Sequence, residues 1–206
     1  MNIKLVQMYG IFPAHHGIGL SYGLTSGMEC WKDCTCASES EPEHLETKDR
    51  LYKVAEKLCK KSGGEDKFLR MIVYWWDITA PRYWWQEMDT YKVGTVAQSE
   101  SSIHTILHKE LTQKNFEDFV PPSVLDSLNN VIKEYRETKN PKALTTIKNM
   151  LPEGFLQRRI WMANLAVMKN IYHQRKNHRL VQWRVVCDAF VMNTPVHLLG
   201  VYGLDK

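Results

Sequence analysis

Between Thr95 and Thr105 the chain places Gln98, Ser99, Glu100, Ser101, Ser102 and His104 in a stretch with almost no apolar cover. Serine hydroxyls and exposed backbone N–H groups can hold phosphate oxygens, most effectively beside a helix N-terminus. The same composition also describes a hydrated turn. A second set of residues lies late in the chain, where the spacing predicts a long helix from about Leu156 to Arg175. Asn164 and Arg175 would sit on it only about 20° out of register, with Met168 and Ile171 between them on a similar face. One face then carries an amide, an apolar middle and a guanidinium. Arginine is the natural bidentate partner of a phosphate or a carbonyl–imide edge, and it is equally a former of surface salt bridges.

Both sets need elements to position them. The apolar run Phe68–Ile78 is rich in β-branched and aromatic residues and reads as a strand with both faces largely covered. Thr79 can then cap a helix, and Pro81 suits its first turn, where the missing N–H has no helical partner. Trp84, Met88 and Tyr91 fall on one face of that helix, which should end near Gly94. Upstream, residues 2–12 alternate weakly as a strand closed by Gly10 and Pro13. From His15 to about Ser26 the glycines lack the spacing of a dinucleotide or phosphate loop, so the stretch reads as a surface loop.

Acidic residues from Glu39 to Glu46 mark a solvated linker or a helix start. Leu51, Val54, Ala55, Leu58 and Cys59 then predict an amphipathic helix stopped at Gly63-Gly64. Later helices are expected over Val124 to Tyr135, entered through Pro121-Pro122-Ser123, from Pro141 to about Met150 and from about Val181 to Met192. The tail, Pro195 to Lys206, is a short strand or a packed segment. Few strands and many helices give an α+β or α/β domain.

Composition bounds the function. A chain of 206 residues fits one domain, and 44% hydrophobic with 24% charged residues argues against disorder for most of it. A formal charge of +4 makes no case for nucleic acid and fits an anionic small ligand equally well. No window approaches the ~18 apolar residues of a membrane span, and the N-terminus reads as a first strand, not a signal peptide, so the cytoplasm is the default location. Of five cysteines, Cys30, Cys34 and Cys36 crowd together near His44. Zinc would want paired CxxC knuckles, and reduced cytosolic thiols are expected, with no metal.

In order and separation these residues resemble the flavin-dependent thymidylate synthase family. The resemblance is carried by Ala80-Pro81, Thr90-Tyr91-Lys92-Val93-Gly94-Thr95, the Gln98–Ser102 loop, Asn164-Leu165, Asn170, Arg175 and Val181-Gln182-Trp183. It implies a central, mostly antiparallel sheet with flanking helices in a single domain over residues 1–206. It also implies FAD as cofactor, with NADPH and methylenetetrahydrofolate as co-substrates. The implied reaction is methylation of a pyrimidine deoxynucleotide at C5, dUMP to dTMP or a related base modification. A homotetramer with active sites shared between subunits is implied as well.

On the same resemblance, Arg175 polarises the base, and Ser101 matches the family serine. Gln98, Ser99, Glu100 and Ser102 complete the phosphate loop, and Lys148 adds charge. Thr90, Tyr91, Lys92, Asn164 and Asn170 face the flavin. Thr90-Tyr91-Lys92 stands where the family has Arg-His-Arg, and Glu87 stands where a glutamine faces the pyrimidine. A carboxylate at Glu87 would accept from an exocyclic amine and so favour cytosine. The replaced Arg-His-Arg also supports a second reading, a nucleotide-binding or regulatory module that keeps the fold without catalysis.

Overall fold

Four strands organise the chain: β1 (Asn2–Tyr9), β2 (Val73–Pro81), β3 (Thr95–Ser99) and β4 (Leu156–Asn164), hydrogen-bonded in the order β1-β2-β4-β3. The computed structural model describes residues 1–24, 42–61 and 64–201, with the side chains of 42–48, 103 and 104 left undescribed. Cys30, Cys34, Cys36 and the side chains of His44 and His104 therefore lie outside the described residues. The fold is α+β with an antiparallel sheet. Arg82 N–H donates to the Phe155 carbonyl at one end of the β2–β4 pair, and Leu165 N–H donates to the Ile72 carbonyl at the other. Asn164 N–H to Gly94 O and Glu100 N–H to Arg158 O bracket the β4–β3 pair in the same way.

β4 corrects the expectation of a continuous helix from Leu156 to Arg175. Leu, Gln, Arg, Met and Ala are individually good helix formers, but a central strand satisfies its backbone donors and acceptors on both sides, and that pairing overrides local preference. The helix α7 begins only at Leu165 and runs to Arg175. β2 alternates fully buried Tyr74, Trp76, Ile78 and Ala80 with half-buried neighbours, as a covered strand should. Its expected beginning is instead a 3₁₀ turn, Lys67–Met71, in which adjacent Phe68 and Leu69 are both buried. A strand would have sent them to opposite faces.

The described chain divides into two compact units. The first comprises Met1–Lys4, Trp76–Lys92 and Val96–Trp161. It contains α3 (Arg82–Met88), α4 (Ser102–Thr105), α5 (Pro122–Thr138) and α6 (Lys142–Met150), the last two close to expectation. Its core is Ile106, Leu107, Leu111, Phe116, Leu128, Ile132 and Ile147, with α5 packed on α6. Pro81 sits at the N-cap of α3 and Thr79 inside β2, so no side chain caps this helix, and it ends at Met88, short of Gly94.

The second unit comprises Leu5–Trp75, Val93–Thr95 and Met162–Lys206. The stretch expected to be a surface loop after β1 is the helix α1 (Ile11–Ser21), which buries Ala14, His15, Ile18 and Gly19. It packs on α2 (Pro42–Lys60) and on the Lys67–Met71 turn. That burial offsets the roughly 1 kcal/mol that each internal glycine costs a helix. Gly10 makes the strand-to-helix corner at φ +95°, where a Cβ would lie 2.2 Å from the Met71 carbonyl oxygen. α2 buries Leu51, Ala55, Leu58 and Cys59 as its spacing predicts. α7 packs on α8 (Val181–Asn193), burying Met168 and Ile171 together with Trp183, Val186 and Phe190. The tail forms a 3₁₀ turn, Val196–Leu199, against α2 and α7. Among the described residues no helix is long and apolar enough to cross a membrane.

Candidate functional site

In the first unit, α3 drives Trp84, Trp85 and Met88 into the interior. Trp85 Nε1 donates to the Gln157 carbonyl at 2.9 Å, which fixes the helix on β4. Past Met88 the backbone winds tightly. Thr90 Oγ1 and Thr90 N–H both donate to the Glu87 carbonyl, at 2.7 and 3.2 Å, and Tyr91 N–H donates to that of Met88 at 3.1 Å. The turn presents Glu87 and Tyr91 half-buried and Thr90 and Lys92 exposed. The Thr90 hydroxyl proton is thus committed to the backbone, leaving Lys92 as the turn's exposed cation.

The expected loop at 95–105 is a strand followed by a short helix. Gln98 and Ser99 lie on β3, whose residues after Thr95 are all exposed. An edge strand of this kind carries no apolar alternation to announce it, only its pairing with β4. Glu100 N–H donates to the Arg158 carbonyl at 2.8 Å, and Gln157 Nε2 donates to the Glu100 carbonyl at 3.0 Å. Ser101 occupies the N-cap position of α4 without a side-chain cap bond, and Ser102 begins the helix. The side chains of Gln98, Ser99, Ser101 and Ser102 have no partner among the described residues, so their hydroxyl and amide donors are available. Lys148 is exposed in the last turn of α6, next to buried Ile147.

Two arginines of β4 escaped the sequence reading because a helix was expected there. Arg158 grips Asp77 through Nε at 2.8 Å and Nη2 at 2.5 Å, a bidentate pair that holds the Asp77 carboxyl below its ordinary range. Arg159 Nη1 reaches Asp89 at 2.8 Å, and its guanidinium carbon stands 4.3 Å from the centre of the Trp85 ring. Arg158 is exposed and Arg159 largely covered, and each has a carboxylate partner within the chain. Alternation through Gln157, Arg159 and Trp161 against Arg158 and Ile160 was the only available signal, and two neighbouring cations blurred it.

In the second unit Asn164 is the N-cap of α7. Its Oδ1 accepts from Val167 N–H at 3.1 Å, and its backbone N–H donates to the Gly94 carbonyl. Gly94, at φ +75°, lies so close that a Cβ would meet Asn164 Nδ2 at 2.4 Å. Asn164 is therefore not on the helical face it was expected to share with Arg175. Arg175 lies one turn beyond buried Ile171, half-buried, with its guanidinium carbon 4.7 Å from the centre of the Trp183 ring. Asn170 is exposed, accepts from Gln174 Nε2 at 3.0 Å, and lies about 140° around the helix from Arg175. These three residues share one helix but no common face.

The second unit also contains a cleft of about 750 Å³ lined mainly by Ala14, Ile18, Tyr22, Leu58, Phe68 and Met71. None of the expected site residues lines it. Among the described residues no group of three or more His, Cys, Asp or Glu side chains is arranged to hold a metal.

The sheet order, its antiparallel pairing and the helices that flank it define an α+β protein. They give it the fold of the flavin-dependent thymidylate synthases. The flavin-dependent thymidylate synthase ThyX from Helicobacter pylori, complexed with FAD and dUMP, superposes with a TM-score of 0.66 over 97% of this chain and 97% of that one, at 14% sequence identity. A second structure of ThyX from Helicobacter pylori with FAD and dUMP gives the same score and identity over 98% of this chain and 97% of that one. No family model and no curated protein matches the sequence.

Proposed function

We propose that this protein binds a pyrimidine deoxynucleotide and FAD and methylates the base at C5, converting dUMP to dTMP or making a related base modification. The observation that carries this reading is the fold likeness over nearly the whole of both chains, since it brings the enzyme's framework and not an isolated motif. The donor set is consistent with it. Gln98, Ser99, Ser101 and Ser102 offer hydroxyls and an amide that are unengaged among the described residues and suited to phosphate oxygens, with Glu100 between them and Lys148 as a further cation.

For the flavin, Lys92 and Tyr91 supply a cation and a ring beside the Thr90 turn, and Asn170 supplies an exposed amide. Asn164 contributes by holding Gly94 and the start of α7. By donor type these residues suit the group, with a weaker grip on its phosphates than arginines would give. FAD, when bound, supplies the redox capacity, with NADPH as reductant and methylenetetrahydrofolate as one-carbon donor. This chain's own task is orientation and polarisation. Arg175, steadied on Trp183, polarises a base carbonyl, and Ser101 anchors the nucleotide so that C5 is presented. Glu87 reads the base edge. We further infer a single-domain protein that works in the cytoplasm as a homotetramer.

One observation favours a second reading. The turn that would grip the flavin has Thr90-Tyr91-Lys92 in place of Arg-His-Arg, and the Thr90 hydroxyl is spent on Glu87. A catalytically inactive homologue that still binds a nucleotide would look like this. Purified protein that carries the absorbance of oxidised flavin, or takes up added FAD stoichiometrically, supports the enzyme. Colourless protein that binds dUMP by calorimetry but refuses FAD supports the inactive module. Strictly monomeric behaviour in light scattering would also count against the enzyme.

A further inference from the structure

Two imidazoles at one corner of the second unit each bury a nitrogen that has no hydrogen-bond partner among the described residues. His15 of α1 is 2% exposed, and its Nδ1 lies 2.8 Å from the Ile11 carbonyl oxygen. Nδ1 therefore carries the proton of the neutral ring, and Nε2 is left as a bare buried acceptor. His197, in the Val196–Leu199 turn, likewise has a buried, unpartnered Nε2. Tyr52 of α2 touches both rings, with centroids 5.1 Å from His15 and 6.2 Å from His197. Phe68, from the Lys67–Met71 turn, packs 6.2 Å from His15.

Protonation would place an N–H donor without an acceptor, and a positive charge, among these aromatic rings. Burial pushes both imidazoles below their ordinary range, opposed in part by the Ile11 carbonyl at His15 and by Glu56 at His197. Glu56 is the α2 carboxylate that acts on His197, and Lys60 holds it at 2.7 Å. From α7, His173 binds the Leu199 carbonyl at 3.0 Å, and burial lowers it too. Lys169 of the same helix is committed to Cys59 O and Asp66, both at 2.7 Å.

We propose that His15 and His197 form an acid-sensitive latch. When neutral they let α1 and the Val196–Leu199 turn close on α2, and when protonated they release that corner. Ala14 and Ile18, beside His15 on α1, and Phe68, against its ring, all line the 750 Å³ cleft, so release reshapes the cleft wall. The sign follows from linkage. Each group titrates lower when folded than its ordinary 6.5, so closure is fully favoured above that value and is lost as pH falls through the folded values.

Amide hydrogen exchange read by mass spectrometry, with rates corrected for the intrinsic effect of pH, tests the latch. Between about pH 7.5 and pH 5, protection of α1 and the Val196–Leu199 turn should fall severalfold. α5 should keep its protection. The double variant H15F/H197F should lose this pH dependence while retaining the wild-type protection at neutral pH. Equal protection of α1 at both pH values, or an unchanged pH effect in the double variant, overturns the proposal. Should that variant fail to fold, imidazole NMR titration of the wild type decides. Midpoints for His15 and His197 below 6.5 that coincide with the loss of α1 protection uphold the latch, and ordinary midpoints or uncoupled opening refute it.

Discussion

Gly94 shows how one residue without a side chain can position several that have one. It turns at φ +75°, accepts the Asn164 backbone N–H, and leaves room for the amide that caps α7. Gly94→Ala would force a left-handed alanine against Asn164 Nδ2 and, at 3.2 Å, against Val167 Cγ2. We expect a loss of about 2–4 kcal/mol, from the strained backbone and the contact together. Urea unfolding should show it as a lower midpoint with an unchanged slope. Gly154→Ala is the control, because nothing lies within 4 Å of its ideal Cβ. If the two variants unfold alike, the Gly94–Asn164 contact is not the constraint described. At this scale the sequence told residue type but not commitment. Asn164 stood out as an amide available to a ligand, whereas the fold spends its oxygen on Val167. Arg158 and Arg159 drew no notice, whereas both are held in ion pairs across the fold's first unit.

Elements were legible where burial lies along one face. α2, α5, α6 and α8 follow their apolar spacing because each covers a core with a single stripe. β4, β3 and α1 did not, each for its own physical reason. β4 is built from helix formers and made extended by partners on both sides, β3 is an exposed edge, and α1 keeps its glycines because the packing around it compensates. The helices that were legible make a direct prediction. Cys59 on α2 and Cys187 on α8 are buried, and burial pushes their thiols up to about 11 and about 12. The thiolate is the nucleophile, so near pH 8 only on the order of one Cys187 in ten thousand is reactive at any moment. Alkylation followed by peptide mapping should leave both unmodified in native protein and modify both rapidly in denaturant. Native labelling of Cys187 at the rate of a free peptide thiol would mean that α8 does not pack on α7 as described.

At the scale of the whole molecule, any ligand that selects the folded state raises its stability, whichever residues make the contact. Free nucleotide at about 100 times its dissociation constant adds about 2.7 kcal/mol, which for a chain of this size is about 5–11 °C in Tm. The midpoint therefore reports ligand choice without assuming turnover. On the proposed function Glu87 reads the base edge, and a carboxylate accepts but cannot donate. It suits the exocyclic amine of cytosine, whereas the amide of Glu87→Gln suits the alternating donor and acceptors of uracil. Wild-type protein should shift further with deoxycytidylate than with dUMP, and Glu87→Gln should reverse the order, each shift being read against the same protein's unliganded midpoint. Equal shifts in the wild type would remove Glu87 from base selection and leave the base to be read by other groups. FAD added alone separates the two proposed functions in the same scan. A flavin enzyme gains stability from it, and an inactive nucleotide-binding homologue gains stability only from the nucleotide.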